Sequence, residues 1–455
     1  MKQALIGIGS GLVAGALFLT IMFLGPLSGS NPQVSETSSA SSQPTATLTT
    51  SPEATPTPTE TEIPLCSVKD AETAAGILEL QAQVIDTATS QVLFDRSGNV
   101  ASRTASVLKL VTAAAALETL GPDYTVTTRV YVDAVDPSIL YLVGAGDVTL
   151  SRTGANEQSV YRNAPKIATL VKQIKQALPG QTFSQIVLDT SLYGAANGDW
   201  KADWDIKGIK EGYMSRVSAL QFDGDRDNPS GKDSARGNDP VARAGKWFKQ
   251  ALGDVAADAT VSIGISAPDA KEIAKVNSRP IREWIDYMLL VSDNTLAEAL
   301  ARLVALDAGY GGSFASLDVA YKKALAATSL NLSGMKIEDG SGLSDFNAAS
   351  PALINSLLGL VDNGYNDFEV ILEGMPVAGT PGSLSYRMES AAGKITAKTG
   401  WIQSGYTLAG FMDTPDGAHL IFTIYNLGKV STANRDAMDN LALAIYNCGA
   451  NLGNE

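Results

Sequence analysis

A serine hydroxyl attacks a carbonyl only when a base lies within hydrogen-bond reach. Ser106-Val107-Leu108-Lys109 offers such a pair. Spacing of three on a helix makes the two side chains neighbours on one face. Lys109 is a base only as a free amine, so its ordinary pKa of about 10.4 must fall by roughly three, a bias of about 4 kcal/mol. Burial and a second cation together could supply that bias, so this chemistry predicts another lysine at the site. The spacing alone is cheap: Ser333-Gly334-Met335-Lys336 repeats it with no apolar helix behind it.

Two further motifs fit the requirement. Ser292-Asp293-Asn294 falls inside an apolar-periodic helical stretch from Pro280 through Ala305, where polar groups are hard to explain as packing. The Ser292 hydroxyl can relay a proton to a departing amine, and the Asn294 amide can bond both a neutral lysine and a substrate carbonyl. The plainer alternative is a helix N-cap, and Ser329-Leu330-Asn331 shows how easily the pattern arises. Lys398-Thr399-Gly400 occurs once. On a strand edge Gly400 admits a substrate backbone, Thr399 offers a hydroxyl and Lys398 is the second cation. Its plainer alternative is an exposed turn.

The single histidine, His419, sits in a predicted turn beside Thr414-Pro415-Asp416-Gly417. That isolation argues against a Ser-His-Asp triad and against a metal site, and no cofactor is expected.

Ser106 and Lys109 need a rigid helix. Ser102 or Thr104 is the expected cap, followed by an apolar run from Val107 through Leu120 and a Gly121-Pro122 stop. Before it, a short helix near Asp70 to Leu80 and strands over about 81–86 and 91–95 are expected. After it, residues 124–275 change to short alternating strands (about 125–132, 140–143 and 186–188), many turns and one helical stretch near 242–252, and read as an insertion. Strands near 395–398, 406–412 and 419–426 and a helix over about 433–447 end the chain. The last strands pairing with the first would close one sheet around the insertion.

The 455 residues, 45% hydrophobic, suffice for two or three cores. A formal net charge of −14 argues against nucleic acid as a partner. Lys2 precedes an uncharged stretch from Ala4 to about Ser28, long enough to span a bilayer, so residues 1–28 read as an uncleaved anchor ahead of a cleaved signal. Either places the body outside the cytoplasm. Residues 29–64, rich in Ser, Thr and Pro, read as a tether. The two cysteines, Cys66 and Cys448, could join the ends of the folded body as a disulfide in an oxidising compartment, or stay as separate buried thiols.

Taken in order and separation, the three motifs resemble the signature of penicillin-recognising serine enzymes. The long interval between the first two is similar to low-molecular-mass class C penicillin-binding proteins, the D-alanyl-D-alanine carboxypeptidase/endopeptidase family S13. The likeness runs from about Val68 to Tyr446 and includes Val84-Ile85-Asp86, the run Leu142 to Leu150, Ser278-Arg279-Pro280-Ile281 and Asp339-Gly340-Ser341-Gly342. It implies an α/β (α+β) fold: a penicillin-binding, β-lactamase-like transpeptidase domain from residues 65–123 and 276–455, an antiparallel sheet flanked by helices. Residues 124–275 would be a mostly β insertion of one or two extra domains.

The resemblance implies that Ser106 is the nucleophile and Lys109 the general base, with Ser292 and Asn294 assisting proton transfer and alignment. Lys398 and Thr399 would hold the terminal carboxylate of a peptidoglycan stem peptide ending in D-Ala-D-Ala. The N–H groups of Ser106 and Trp401 would form the oxyanion hole. Asp293 and Arg387 would contact substrate or act as structural partners. β-Lactams would be covalent inhibitors. Trp401 departs from the family, which usually has threonine there, and a lost hydroxyl weakens carboxylate recognition. An inactive wall-binding module, and a β-lactamase or esterase, are the other readings of the same scaffold.

Overall fold

A computed structural model describes residues 65–194 and 198–454. The expected anchor and tether, residues 1–64, lie outside the described residues. Among the described residues no helix is long and apolar enough to cross a membrane.

Among the described residues ten strands occur in chain order: β1 (Glu79–Asp86), β2 (Val92–Arg96), β3 (Thr127–Val132), β4 (Ile139–Val143), β5 (Gln185–Asp189), β6 (Thr260–Ile263), β7 (Lys271–Asn277), β8 (Ile395–Ile402), β9 (Gly405–Asp413) and β10 (His419–Leu427). They form two five-stranded sheets, β2-β1-β10-β9-β8 and β6-β5-β4-β3-β7. The first is antiparallel throughout, and β1 pairs with β10 from Glu79↔Leu427 to Asp86↔Leu420. The chain's last strands therefore complete the sheet that its first strands begin.

Alternation along β10 shows why this sheet needs cover on both faces. Ile421 and Tyr425 join one apolar cluster, while Leu420, Phe422 and Ile424 join another. The first cluster holds the Leu108–Leu120 helix, buried on every side from Leu108 to Leu117, as its almost uninterrupted Ala, Leu and Val demand. The second lies under the Thr432–Cys448 helix.

The second sheet is mixed. β3 runs antiparallel to β4 and β7, whereas β4, β5 and β6 are mutually parallel. Parallel neighbours need a crossover. The Pro240–Leu252 helix, expected from sequence, serves β5 to β6, and Ile167–Ala177, where the sequence suggested only strands and turns, serves β4 to β5. Its Ile167, Leu170, Val171 and Ile174 bury one stripe against this sheet.

Cys66 and Cys448 form a disulfide. The expected helix near 70–80 is a single turn, Lys69–Glu72. His419 is not in a turn but begins β10, hydrogen-bonded to Asp413 and Asp362.

Candidate active site

The helix that carries Lys109 does not start with a side-chain cap. Ser102 instead bridges to Ala349, and residues 105–107 form a 3-10 turn leading into the α-helix at Leu108. Thr104 gives no capping bond; its carbonyl accepts from Thr407 Oγ1 at 2.7 Å. Ala105 has φ +44°, a strained value for a residue with a side chain. Two glycines press on this turn. A Cβ on Gly400 would lie 2.1 Å from Thr407 Oγ1 and 2.8 Å from the Ser106 nitrogen; one on Gly342 would lie 1.9 Å from the Ala105 carbonyl oxygen. Glycine at 400 is thus demanded by the chain's own serine turn, in addition to any substrate.

Ser106 is 9% exposed, and Lys109 and Lys398 are fully buried. Lys109 Nζ donates to Ser106 Oγ (2.9 Å), Asn294 Oδ1 (2.7 Å) and the Ser341 carbonyl oxygen (2.6 Å). Lys398 Nζ donates to Ser292 Oγ (3.0 Å) and its neighbour's carbonyl, Thr399 O (2.6 Å). Thr399 Oγ1 donates to Ser383 Oγ at 2.8 Å. The three motifs, distant in sequence, meet around one serine.

Burial brings Lys109 down to about 8, against the upward pull of Asp339, Glu298 and Asp293. Burial, then Lys109 and Arg387, push Lys398 well below the usual lysine range. The charge of Lys109 disfavours the charge of Lys398, so burial and the neighbouring ammonium both act to release a proton from Lys398. The second lysine is present as predicted, but the lowering of Lys109 comes from desolvation and not from that cation.

Ser292-Asp293-Asn294 does not lie within one helix. It separates Ile281–Val291 from Asn294–Asp307: Ser292 is left-handed (φ +62°) and Asp293 caps the second helix by accepting from Leu296 N–H. This break turns Ser292 and Asn294 toward two different lysines. Asn294 Nδ2 donates to the Tyr213 carbonyl at 2.9 Å.

Asp293 is largely occupied. Its Oδ2 accepts from Arg226 Nη2 at 2.8 Å and from the Tyr161 hydroxyl at 3.2 Å, and all three groups are buried. Burial would raise its pKa, but Arg226 and Arg236 win and hold it below the ordinary value. The bond ties the helix break to the segment carrying the second sheet. Arg387 makes a two-armed pair with Asp439. Both residues are thus structural partners here, although both also line the cleft in front of Ser106.

That cleft measures about 680 Å³ and is lined by Ser106, Asn294, Thr399, Trp401, Tyr213 and Asp205 among others. Trp401 is 51% exposed and stands cross-strand from Tyr406. Sequence reasoning missed Glu298 and Arg226. Glu298 follows Asn294 by one helical turn, a spacing that could have pointed to it; nothing in the local sequence marks Arg226.

Comparison with known proteins agrees with this geometry. The model of the D-Ala-D-Ala carboxypeptidase 3 (S13) family matches residues 74–238 and 226–446. Carboxypeptidase DacB of Mycolicibacterium smegmatis is 30% identical over 377 residues, 81% of each chain. The D-alanyl-D-alanine carboxypeptidase of an Actinomadura species is 27% identical, covering 80% of each. The crystal structure of penicillin binding protein 4 from Haemophilus influenzae superimposes with a TM-score of 0.70 at 19% identity, over 83% of this chain and 99% of that one. The chain belongs to the D-Ala-D-Ala carboxypeptidase 3 (S13) family of serine peptidases.

Proposed function

We propose that this protein removes the terminal D-Ala from peptidoglycan stem peptides through an acyl-enzyme on Ser106, and that β-lactams acylate the same oxygen. The observation that carries the reading is Lys109: a buried amine 2.9 Å from Ser106 Oγ with its pKa lowered to about 8. As free amine, Lys109 accepts the Ser106 proton while Oγ bonds to the carbonyl carbon of the penultimate D-Ala. The oxyanion is held by the N–H groups of Ser106 and Trp401. When the tetrahedral intermediate collapses, the C–N bond breaks, and the proton passes through the Ser292 hydroxyl, beside Lys398, to the leaving amine. Water then cleaves the ester and Ser106 regains its proton. Lys398 and Thr399 hold the leaving residue's carboxylate. Endopeptidase cleavage of cross-links uses the same steps with a longer leaving group.

The reading includes export, with the N-terminal segment as membrane anchor; the Cys66–Cys448 disulfide supports an oxidising compartment. It also assigns residues 65–123 and 276–455 to the catalytic domain and 124–275 to an insertion.

Intact mass and peptide mapping of residues 65–455 after incubation with benzylpenicillin test the proposal. A persistent adduct on Ser106, absent from Ser106→Ala, is expected. Absence of an adduct at high drug concentration overturns it in favour of an inactive wall-binding module. Rapid turnover of the adduct would favour a β-lactamase.

A further inference from the structure

Two of the three acceptors around the Lys109 ammonium trace back to one helix. Asn294 Oδ1 accepts directly. The Ser341 carbonyl sits on a loop whose backbone is fastened to the same helix one turn later: Glu298 Oε1 accepts from Gly340 N–H (3.0 Å) and Ser341 N–H (2.8 Å). Glu298 is fully buried and, among the described residues, its Oε2 has no hydrogen-bond partner. The loop has little slack. A Cβ on Gly340 would lie 2.5 Å from Ala301 Cβ, Thr112 Oγ1 donates to the Gly340 carbonyl (2.7 Å), and Gly342 abuts Ala105. An unpartnered carboxylate oxygen at such depth is costly to charge.

We propose that Glu298 is a positioning residue for the acylation step: by clamping the Gly340–Ser341 backbone it aims the Ser341 carbonyl at Lys109, and its charge biases how much free amine Lys109 carries. The inference rests on the function proposed above. The groups facing Glu298 are Lys109 on the nucleophile helix, Asp339 on the clamped loop, Arg302 on its own helix, Tyr193 from the inserted segment and Tyr321 from the Leu317–Ala324 helix. Burial, then Asp339, push Glu298 up to about 7, opposed by Ser341 and Arg302. Its charge raises the pKa of Lys109. A charged Glu298 therefore favours the protonated lysine, and an uncharged one favours more free amine.

Two variants separate the clamp from the charge. Glu298→Gln keeps an oxygen for the two N–H donors and removes the charge; Glu298→Ala removes both. The rate of Ser106 acylation by benzylpenicillin is measured from pH 5 to 10. In parallel, the Lys109 side chain is followed by ¹³C NMR in lysine-labelled full chain, assigned with Lys109→Arg. For Glu298→Gln both midpoints are expected at lower pH than in the parent, with the profiles converging below about pH 6, where the parent's Glu298 is itself protonated. Glu298→Ala, which also lacks the charge, is expected to share the lowered midpoints and to acylate about tenfold more slowly than Glu298→Gln at every pH, as loss of hydrogen bonds that position a reacting centre does. A merely structural role predicts rate losses that follow stability, with neither midpoint moved in Glu298→Gln; that result overturns the inference. An NMR midpoint that moves while the parent forms no adduct refutes the proposed function and leaves the coupling standing.

Discussion

Two buried polar networks lie side by side in this protein and differ in what burial does to their cations. Around Asp293, Arg226 meets a carboxylate and the Tyr161 hydroxyl, and Arg152 and Arg243 pair with Asp223 and Asp225. Burial would lower Arg226, but Tyr161 and Asp293 outweigh it and hold the guanidinium above its ordinary value. Around Ser106, Lys109 and Lys398 meet hydroxyls, amides and carbonyls, none of which neutralises charge, and both amines fall. Arg226 is as deeply buried as Lys109 and Lys398. Arg226, paired directly with Asp293, stays charged, whereas Lys109 and Lys398, hydrogen-bonded to neutral groups alone, can exchange protons; the partly buried Arg152 is drawn down by burial even beside Asp223.

The sharpest way to break that contrast is to give the reactive network a cation that cannot titrate. Lys109→Arg is expected to lose acylation by about a thousandfold or more, with melting temperature near that of the parent. Acylation within tenfold of the parent would remove Lys109 as the base. The converse experiment strips the structural network of its cation. Arg226→Met leaves Asp293 buried beside a neutral group and is expected to cost about 3–5 kcal/mol of unfolding free energy by urea titration. A cost under about 1 kcal/mol would show that the pair is dispensable.

Stability against pH probes the groups whose charge burial disfavours. Glu298 holds its proton up to about pH 7 when folded but only to about 4.5 when unfolded, so the folded state binds the extra proton in that window and stability falls as pH rises through it. The Glu298 share is about 3 kcal/mol, and Glu298→Gln should remove it. Lys109 acts in the opposite sense: between about pH 8 and 10.5 the unfolded chain binds the extra proton, so stability there rises with pH. The smallest expected effect belongs to the contact beside the reactive network. Gly400→Ala forces Thr407 and the Ser106 turn apart and should cost about 1–3 kcal/mol, with a slower adduct.

The reactive network was far more legible in the sequence than the structural one. Ser106, Lys109, Ser292, Asn294 and Lys398 lie in three compact motifs, because each motif is one turn, helix break or strand with its spacing set locally. Asp293 was visible only as the middle of such a motif; its partner Arg226 is 67 residues away, and no local pattern encodes that pairing. The uncapped 3-10 start at Ala105 was hidden for a similar reason, since Gly342 and Gly400, both remote in sequence, shape it. The amphipathic stripe of Ile167–Ala177 was present in the sequence but was overlooked among neighbouring strands. The closing of the first sheet by β10 followed from apolar strands at both ends of the chain, whereas the parallel pairing of β4, β5 and β6 depends on crossovers that strand patterns do not reveal.

The Cys66–Cys448 bond gives the folded body the covalent topology of a ring, spanning 382 positions. A protease that cuts one loop inside it therefore opens the ring without dividing the molecule, and the two pieces migrate as a single species until a reductant is added. In the chain-entropy account, closing so long a loop restricts the unfolded chain by an amount on the order of 5 kcal/mol. That restriction is lost once the ring is cut, and what the bond then does is hold the two pieces together.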